Sequence, residues 1–171
     1  MVNSEQNNGK VFAISISEVR GTKKHNVEMA EFIADYGIKG DAHAGKWHRQ
    51  ISLLSIDSIR KFNYLTGYFI KPGDFAENIT VEGLDLLLLP IGSKIKIGDK
   101  VILEITQHGK QCHNACEIFK NVGKCAMPTE GIFAKVLNGG MVKKGDGVQI
   151  SFLGDQHIHE SPTLQHFDSR Y

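Results

Sequence analysis

A cysteine in a polar, positively charged segment is the strongest candidate for chemistry in this sequence. Cys112 follows the apolar run 101–106 and has Lys110 and His113 as near neighbours. Nearby positive charge favours the thiolate, which is the form that attacks sulfur, carries a persulfide or binds a soft metal. A free cysteine is more often a small buried apolar residue, but the polar residues around Cys112 are poor core formers. The segment therefore predicts a reactive thiol at the exit of a strand.

The other two cysteines leave a structural zinc site open as an alternative. Cys116 and Cys125 lie in the same stretch as Cys112, and three thiols with the imidazole of His113 complete a tetrahedral ligand set by number. The spacing of Cys112 and Cys116 differs from the paired knuckles of zinc sites, so zinc ranks second. An alternative role for Cys116 is that of a resolving partner for Cys112.

A glycine-bearing loop, residues 37–50, supplies a second set of chemical groups. Its glycines let the backbone approach a ligand closely. Its side chains include donors for a phosphate, namely Lys39, His43, Lys46, His48 and Arg49. Asp41 is placed to orient His43 or to accept from a ligand amine. The loop matches neither of the common glycine-rich nucleotide patterns, and an ordinary solvated loop is an equal alternative. We predict that Lys39, His43 and Arg49 form the anion end of a pocket.

A third group of polar residues, Glu77 and Asn78, precedes the strand pattern of residues 79–81. The amide of Asn78 can read both donors and acceptors of a heterocyclic or amide ligand. The alternative is that both side chains satisfy backbone groups at a bulge.

Length and composition favour one soluble domain. The chain has 171 residues, enough for one core, and its net charge of +1 offers no general attraction to nucleic acid or anionic membrane. Three cysteines, an odd number, indicate reduced thiols rather than a disulfide framework. Residues 1–10 lack a signal pattern and no apolar run reaches membrane-spanning length, so we expect a cytoplasmic protein.

Short strand patterns separated by glycine predict a mainly β fold, barrel-like, with a few short helices. The predicted strand elements are residues 11–17, a hairpin formed by 94–97 and 101–105, and a meander over 131–152 turning at 138–140. Helical spacing is limited to residues 55–62, capped by Ser55, and to 114–122. We expect the domain to span residues 11–153, between a flexible N-terminus, 1–10, and a flexible polar tail, 154–171. The histidines of that tail leave incidental metal binding as a less favoured alternative.

These motifs, in this order, resemble the MOSC domain, the C-terminal domain of molybdenum cofactor sulfurases. The resemblance runs from about Val11 to about Phe152. It rests on Gly40-Asp41-Ala42-His43 with Arg49-Gln50, on Pro72-Gly73-Asp74-Phe75-Ala76-Glu77-Asn78-Ile79, on Leu89-Pro90-Ile91-Gly92 and on the approach to Cys112. Gln111 stands where many members have proline, and the residues after Cys112 look like the small stand-alone prokaryotic branch.

The resemblance implies a β-rich barrel and a cysteine, here Cys112, that works with the molybdenum cofactor (molybdopterin). In the function we favour, Cys112 takes sulfur as a persulfide from a separate pyridoxal-phosphate-dependent cysteine desulfurase and passes it to a molybdenum centre. The resemblance maps the family's polar pocket to Asp41, His43, Arg49, Gln50, Glu77 and Asn78, and the chemistry of the residues adds Lys39, Lys110 and His113 to the expected cofactor-binding set. Two alternatives stay open: Cys112 is a molybdenum ligand in an oxidoreductase that reduces N-hydroxylated substrates, or the domain only stores the cofactor.

Overall fold

Seven strands close into a barrel at the centre of the structure, a computed structural model that describes residues 8–111, 120 and 123–155. The described residues form eleven strands in all, namely β1 (Asn8–Ile16), β2 (His25–Val27), β3 (Met29–Ile33), β4 (Gly37–Ile38), β5 (Ile51–Ser55), β6 (Ile79–Glu82), β7 (Lys94–Ile97), β8 (Val101–His108), β9 (Ile132–Asn138), β10 (Gly140–Lys143) and β11 (Gly147–Phe152). The order around the barrel is β1-β11-β7-β8-β9-β5-β6, and β6 returns to β1. The predicted mainly β, barrel-like fold is confirmed.

One strand pair of the barrel, β5 and β6, is parallel, and the other neighbours run antiparallel. Parallel neighbours require a long crossover connection. Helix α1 (Ile56–Thr66) and the loop 67–78 provide it. The crossover brings the loop before β6 to the same barrel end as the loop before β5.

Two smaller units extend the barrel. Strand β2 pairs with the second half of β1, and β3, β4 and β10 form a separate three-stranded sheet. The described helices are α1, a single turn α2 (Met127–Glu130), and a 3₁₀ turn at Leu86–Leu88. None of the described helices is long and apolar enough to cross a membrane.

Strand β5 separates two apolar clusters because it is buried on both faces. Ile51 and Leu53 point into the barrel, where they pack with fully buried residues of the other strands, among them Ile79 and Leu103. Leu54 points outward and packs beneath α1 in a second cluster. Side chains alternate between the two faces of a strand, so Ser52 also points out of the barrel.

The ends of α1 follow the expected sequence signals. The hydroxyl of Ser55 accepts a hydrogen bond from the Asp57 N–H at 3.1 Å, and Gly67 ends the helix with a φ of +73°. The predicted helix at 55–62 is therefore confirmed. The helix predicted over 114–122 lies, apart from Lys120, outside the described residues.

The two predicted β connections have different outcomes. The hairpin of β7 and β8 forms, with Gly98 at a φ of +58° in its turn. The meander over 131–152 is wrong, because β10 leaves the barrel to pair with β3 and β11 returns to pair with β7 and β1. The chain passes close to β3 at this turn, since a Cβ at Gly139 would meet the Phe32 carbonyl oxygen.

The predicted termini fall largely outside the structure. Residues 1–7 and 156–171 are outside the described residues, so the structure does not bear on the tail. Strand β1 begins at Asn8, within the segment assigned to the flexible N-terminus, and its first three residues pair with β11.

We predict that Gly109→Ala destabilises the fold more than Gly67→Ala does. Both glycines have positive φ, but a Cβ at Gly109 would lie 2.2 Å from the Pro128 carbonyl oxygen, whereas nothing lies within 4 Å at Gly67. The Gly67 variant carries only the backbone penalty, ~1–2 kcal/mol, and crowding adds about 1–3 kcal/mol at Gly109. Urea unfolding of both variants measures the difference. Equal midpoints would show that the Pro128 contact is not a constraint.

Candidate functional site: a cationic cleft on the outer wall of the barrel

A cleft of about 270 Å³ lies against the outer face of β5, between the loops that precede β5 and β6. Ser52 and Asn78 form part of its floor. Four basic side chains line it, namely Arg20, His43, Arg49 and Lys110. Its apolar walls are Trp47, Phe75, Met127 and Phe133. No carboxylate is present among the described residues that line the cleft, so the arrangement favours an anion.

Arg49 is held by aromatic contacts rather than by an ion pair among the described residues. Its guanidinium carbon lies 4.8 Å from the ring centroid of Trp47 and 5.6 Å from that of Phe133. Its Nε is buried and has no hydrogen-bond partner in the described part of the chain. A buried donor without an acceptor is costly. This atom therefore favours a ligand that brings an acceptor into the cleft.

Arg20 contacts the indole ring of Trp47, the same ring that Arg49 contacts. Its guanidinium carbon is 5.3 Å from the Trp47 centroid, and its Nε donates to the carbonyl of Ala42 at 3.0 Å. The indole is fixed in turn, because its N–H donates to the carbonyl of His43 at 2.7 Å. Sequence reasoning did not select Arg20. An arginine beside a glycine after a strand is too common a pattern to have identified it.

Behind the cleft, a buried ion pair joins Lys24 and Asp41, with Nζ and Oδ1 2.5 Å apart and both side chains fully buried. The Lys24 ammonium also donates to the Ser17 hydroxyl at 3.3 Å and lies 3.2 Å from Nδ1 of His43. Asp41 accepts from the backbone N–H of Ser17 at 3.1 Å and of His43 at 3.0 Å. Every charged atom of the pair therefore has partners, as a buried ion pair requires.

The same contacts move the pKa values of both partners. Burial raises the pKa of Asp41 by itself, but the contacts of the carboxylate with His43 and with the Lys24 ammonium outweigh burial and hold that pKa well below its usual range. Burial lowers the pKa of Lys24, against the opposing effect of Asp41, and the positive charge of Lys110 lowers it further. Asp41 therefore carries its charge throughout the neutral range.

Glu77 is a second buried carboxyl behind the cleft. Its Oε1 accepts from the Gly73 N–H at 2.7 Å and from the Thr80 hydroxyl at 3.0 Å, and its Oε2 has no hydrogen-bond partner among the described residues. Burial raises the pKa of Glu77 to about 7, despite these hydrogen bonds. Through these two hydrogen bonds, the buried Glu77 carboxyl joins the loop before β6 to the start of that strand.

The sequence of the barrel and its cleft matches a known protein family. The family model of the MOSC domain matches residues 40–149, which include most of the cleft. The chain belongs to the MOSC domain family. The predicted resemblance is thereby confirmed, and at the level of the family it connects the chain with the molybdenum cofactor.

Solved structures with the same fold are distant in sequence. The YuaD protein of Bacillus subtilis is 22% identical with a TM-score of 0.69, over 82% of this chain and 94% of that one. YiiM of Geobacillus stearothermophilus is 15% identical with a TM-score of 0.66, over 88% and 77%. YiiM of Escherichia coli is 18% identical with a TM-score of 0.55, over 85% and 72%. At these identities the likeness shows the fold alone. No curated protein matches the chain.

Four residues expected at the site of this MOSC domain meet in one cleft. His43, Arg49, Asn78 and Lys110 line it, and Asp41 supports it from behind. The Asn78 amide is already engaged in the barrel wall, because its Oδ1 accepts from the N–H and hydroxyl of Ser52 and its Nδ2 donates to a backbone carbonyl. Asn78 joins β5 to β6, and this matches the alternative in which it satisfies backbone groups.

Three other expected residues are not among those lining the cleft. Lys39 is exposed, pairs with Glu31 at 2.9 Å and is not among the described residues that line the cleft. Gln50 is fully buried and accepts from the Val136 N–H at 2.9 Å. The carboxyl of Glu77 accepts a hydrogen bond from Gly73, within the loop before β6. Polar residue type alone did not distinguish a ligand contact from a backbone contact.

The cysteine segment is described only up to Gln111. Cys112, His113 and Cys116 lie outside the described residues, and Cys125 packs beside the second apolar cluster. Within the described residues, no group of three or more His, Cys, Asp or Glu side chains is arranged to hold a metal ion. The zinc alternative, which needs the undescribed cysteines, stays a prediction.

We predict that Arg49→Met weakens the binding of inorganic phosphate by about 10-fold or more, because a hydrogen bond to a charged group contributes ~1.5–3 kcal/mol. Stability should change by less than about 1 kcal/mol, the size of the lost aromatic contact. Calorimetric titration of the full chain measures the affinity. Lys39→Met is the matched control and should bind as the parent does, since Lys39 is exposed. Equal affinities for both variants would remove Arg49 from the anion site.

We predict that Glu77 makes the fold less stable as the pH rises from about 4.5 to about 7. Its pKa is about 7 in the folded protein and near 4.5 ordinarily, so folding takes up a proton in this window. The contribution is complete below the unfolded pKa and is lost as the pH rises through the folded one, at up to about 1.4 kcal/mol per pH unit. Glu77→Gln should flatten this slope in urea unfolding at several pH values. Glu31→Gln, on the surface, should leave it in place, and an unchanged slope in the Glu77→Gln variant would contradict the assignment.

Proposed function

We propose that this MOSC domain is a sulfur carrier for the molybdenum cofactor, with Cys112 as the residue that carries sulfur. The observation that supports this most directly is the cleft lined by Arg20, His43, Arg49 and Lys110 without a carboxylate among its described residues. Such a donor set suits an anionic ligand, and the family is associated with an anionic pterin cofactor.

The cofactor would be held by its anionic groups. The unpartnered Nε of Arg49 and the adjacent guanidinium of Arg20 supply planar donors suited to a phosphate. The contacts with Trp47 position both groups, and the buried Nε of Arg49 keeps an N–H without a partner among the described residues. A bound cofactor would supply a molybdenum centre that is able to take up sulfur.

Lys110 is the described cleft residue that stands nearest to Cys112 in the sequence. It lines the cleft, and Cys112 follows it by two positions in the sequence. Two residues of chain span at most about 7 Å. The start of this segment is anchored, because the Gly109 N–H donates to the carbonyl of Gly131 at 2.7 Å. An ammonium this close in the chain favours the thiolate of Cys112.

The proposed loading step is a thiol–persulfide exchange. The Cys112 thiolate attacks the terminal sulfur of a persulfide on a cysteine desulfurase, forming one S–S bond while the S–S bond of the donor breaks. The desulfurase cysteine leaves as a thiolate, so no external oxidant or reductant is needed. Pyridoxal phosphate belongs to that partner.

We predict that incubation with a cysteine desulfurase and cysteine adds one sulfur atom to the parent protein, in a form that dithiothreitol removes. Intact mass spectrometry measures the addition. Cys112→Ser should abolish it, whereas Cys125→Ser, which alters a residue beside the apolar cluster, should retain it.

Two results would overturn the carrier function. Stoichiometric molybdenum in the purified protein that is lost in Cys112→Ala, with no persulfide formed, would assign Cys112 as a metal ligand in an oxidoreductase or a storage protein. One equivalent of zinc held through Cys112, Cys116 and Cys125 would contradict the carrier and the ligand functions together.

A further inference from the structure

The buried lysine behind the cleft contacts a ring nitrogen of His43. Nζ of Lys24 and Nδ1 of His43 are 3.2 Å apart, while the His43 side chain is 28% exposed and lines the cleft. Lys24 itself is fully buried and is paired with Asp41 at 2.5 Å. This histidine therefore has one ring edge against an ammonium group and the other edge available to the cleft.

The chemistry of this contact determines which ring nitrogen of His43 carries the hydrogen. An ammonium group has donors only, so the nitrogen that faces it must accept. Nδ1 therefore lacks a hydrogen, and Nε2 carries it. The other group facing Nδ1 is Asp41, whose Oδ2 is 3.6 Å away, too far for a hydrogen bond. That oxygen already accepts from the backbone N–H of His43 at 3.0 Å.

We propose that Lys24 is a positioning residue that holds His43 in the Nε2–H tautomer, so that His43 presents an N–H donor to an oxyanion in the cleft. The inference rests on the proposed function only in taking the cleft as an anion site. It assigns a role to a buried lysine that the anion does not need to touch.

This tautomer restricts what His43 can do. With Nδ1 occupied by the ammonium, the imidazole has no free lone pair at Nε2, so it does not coordinate a metal or accept a proton there. His43 then adds a neutral donor beside the cations Arg20, Arg49 and Lys110. A fourth positive charge at this position would add to the repulsion among those cations, whereas a neutral N–H adds a hydrogen bond without that cost.

The parent protein provides the first test, because it requires no variant to fold. Long-range nitrogen–proton correlation spectra of the histidine-labelled full chain, with the signals of His43 assigned through His43→Gln, report the tautomer directly. We expect hydrogen on Nε2 and none on Nδ1 at neutral to mildly alkaline pH. Hydrogen on Nδ1 would overturn the proposal, whatever Cys112 does in the persulfide assay.

The variant test separates positioning from simple stability. In Lys24→Met we expect the His43 signals to move towards a mixture of tautomers and phosphate affinity to fall several-fold, while Lys24→Arg, which retains a donor, should restore the Nε2–H pattern. His48→Asn is the control, since His48 contacts Gln107 on the surface and does not line the cleft. If folded Lys24→Met keeps the parent tautomer and phosphate affinity, the role is excluded. Failure of persulfide formation with the Nε2–H tautomer intact would reject only the carrier function.

Discussion

The buried contact between Lys24 and Asp41 is the constraint on which the site depends. The ammonium of Lys24 bonds to the carboxylate of Asp41 and donates to the hydroxyl of Ser17, just after β1. The backbone N–H of Lys24 donates to the carbonyl of Gly73. One residue thus joins three loops at one end of the barrel. Removing either charge would leave the other buried and unpaired, which costs far more than a surface pair.

The position of those loops follows from the single parallel pair in the barrel. Because β5 and β6 run in the same direction, the loops that precede them emerge at the same end. The hydrogen bonds between Ser52 and Asn78 join the two strands where the loops enter. The interior of the barrel is apolar and continuous, so the site occupies the outer wall, where the loops can change without opening the core.

Local sequence patterns predicted the positions of strands and helices better than they predicted which strands pair and which side chains meet. Alternation located β7 and β8, and Ser55 located the start of α1, because these signals depend on neighbouring residues. The closure of β1 on β11 joins residues about as far apart as the described chain allows. Lys39 shows the same limit at the site: its loop was identified, but its side chain turns to Glu31. The cleft also includes Arg20, from a turn with no distinctive pattern.

The cleft concentrates positive charge at a cost that an anion can offset. Arg20 and Arg49 share one indole, and Lys110 lines the same small volume, so the three charges repel one another when no anion is present. Asp41 is an ionised carboxylate behind the cleft, and Lys24 already neutralises it. A ligand that brings negative charge into the cleft would offset this repulsion, and a ligand that binds only the folded state stabilises that state. The charges of Arg20, Arg49 and Lys110 are thus the common basis of the proposed anion site and of the proposed thiolate at Cys112.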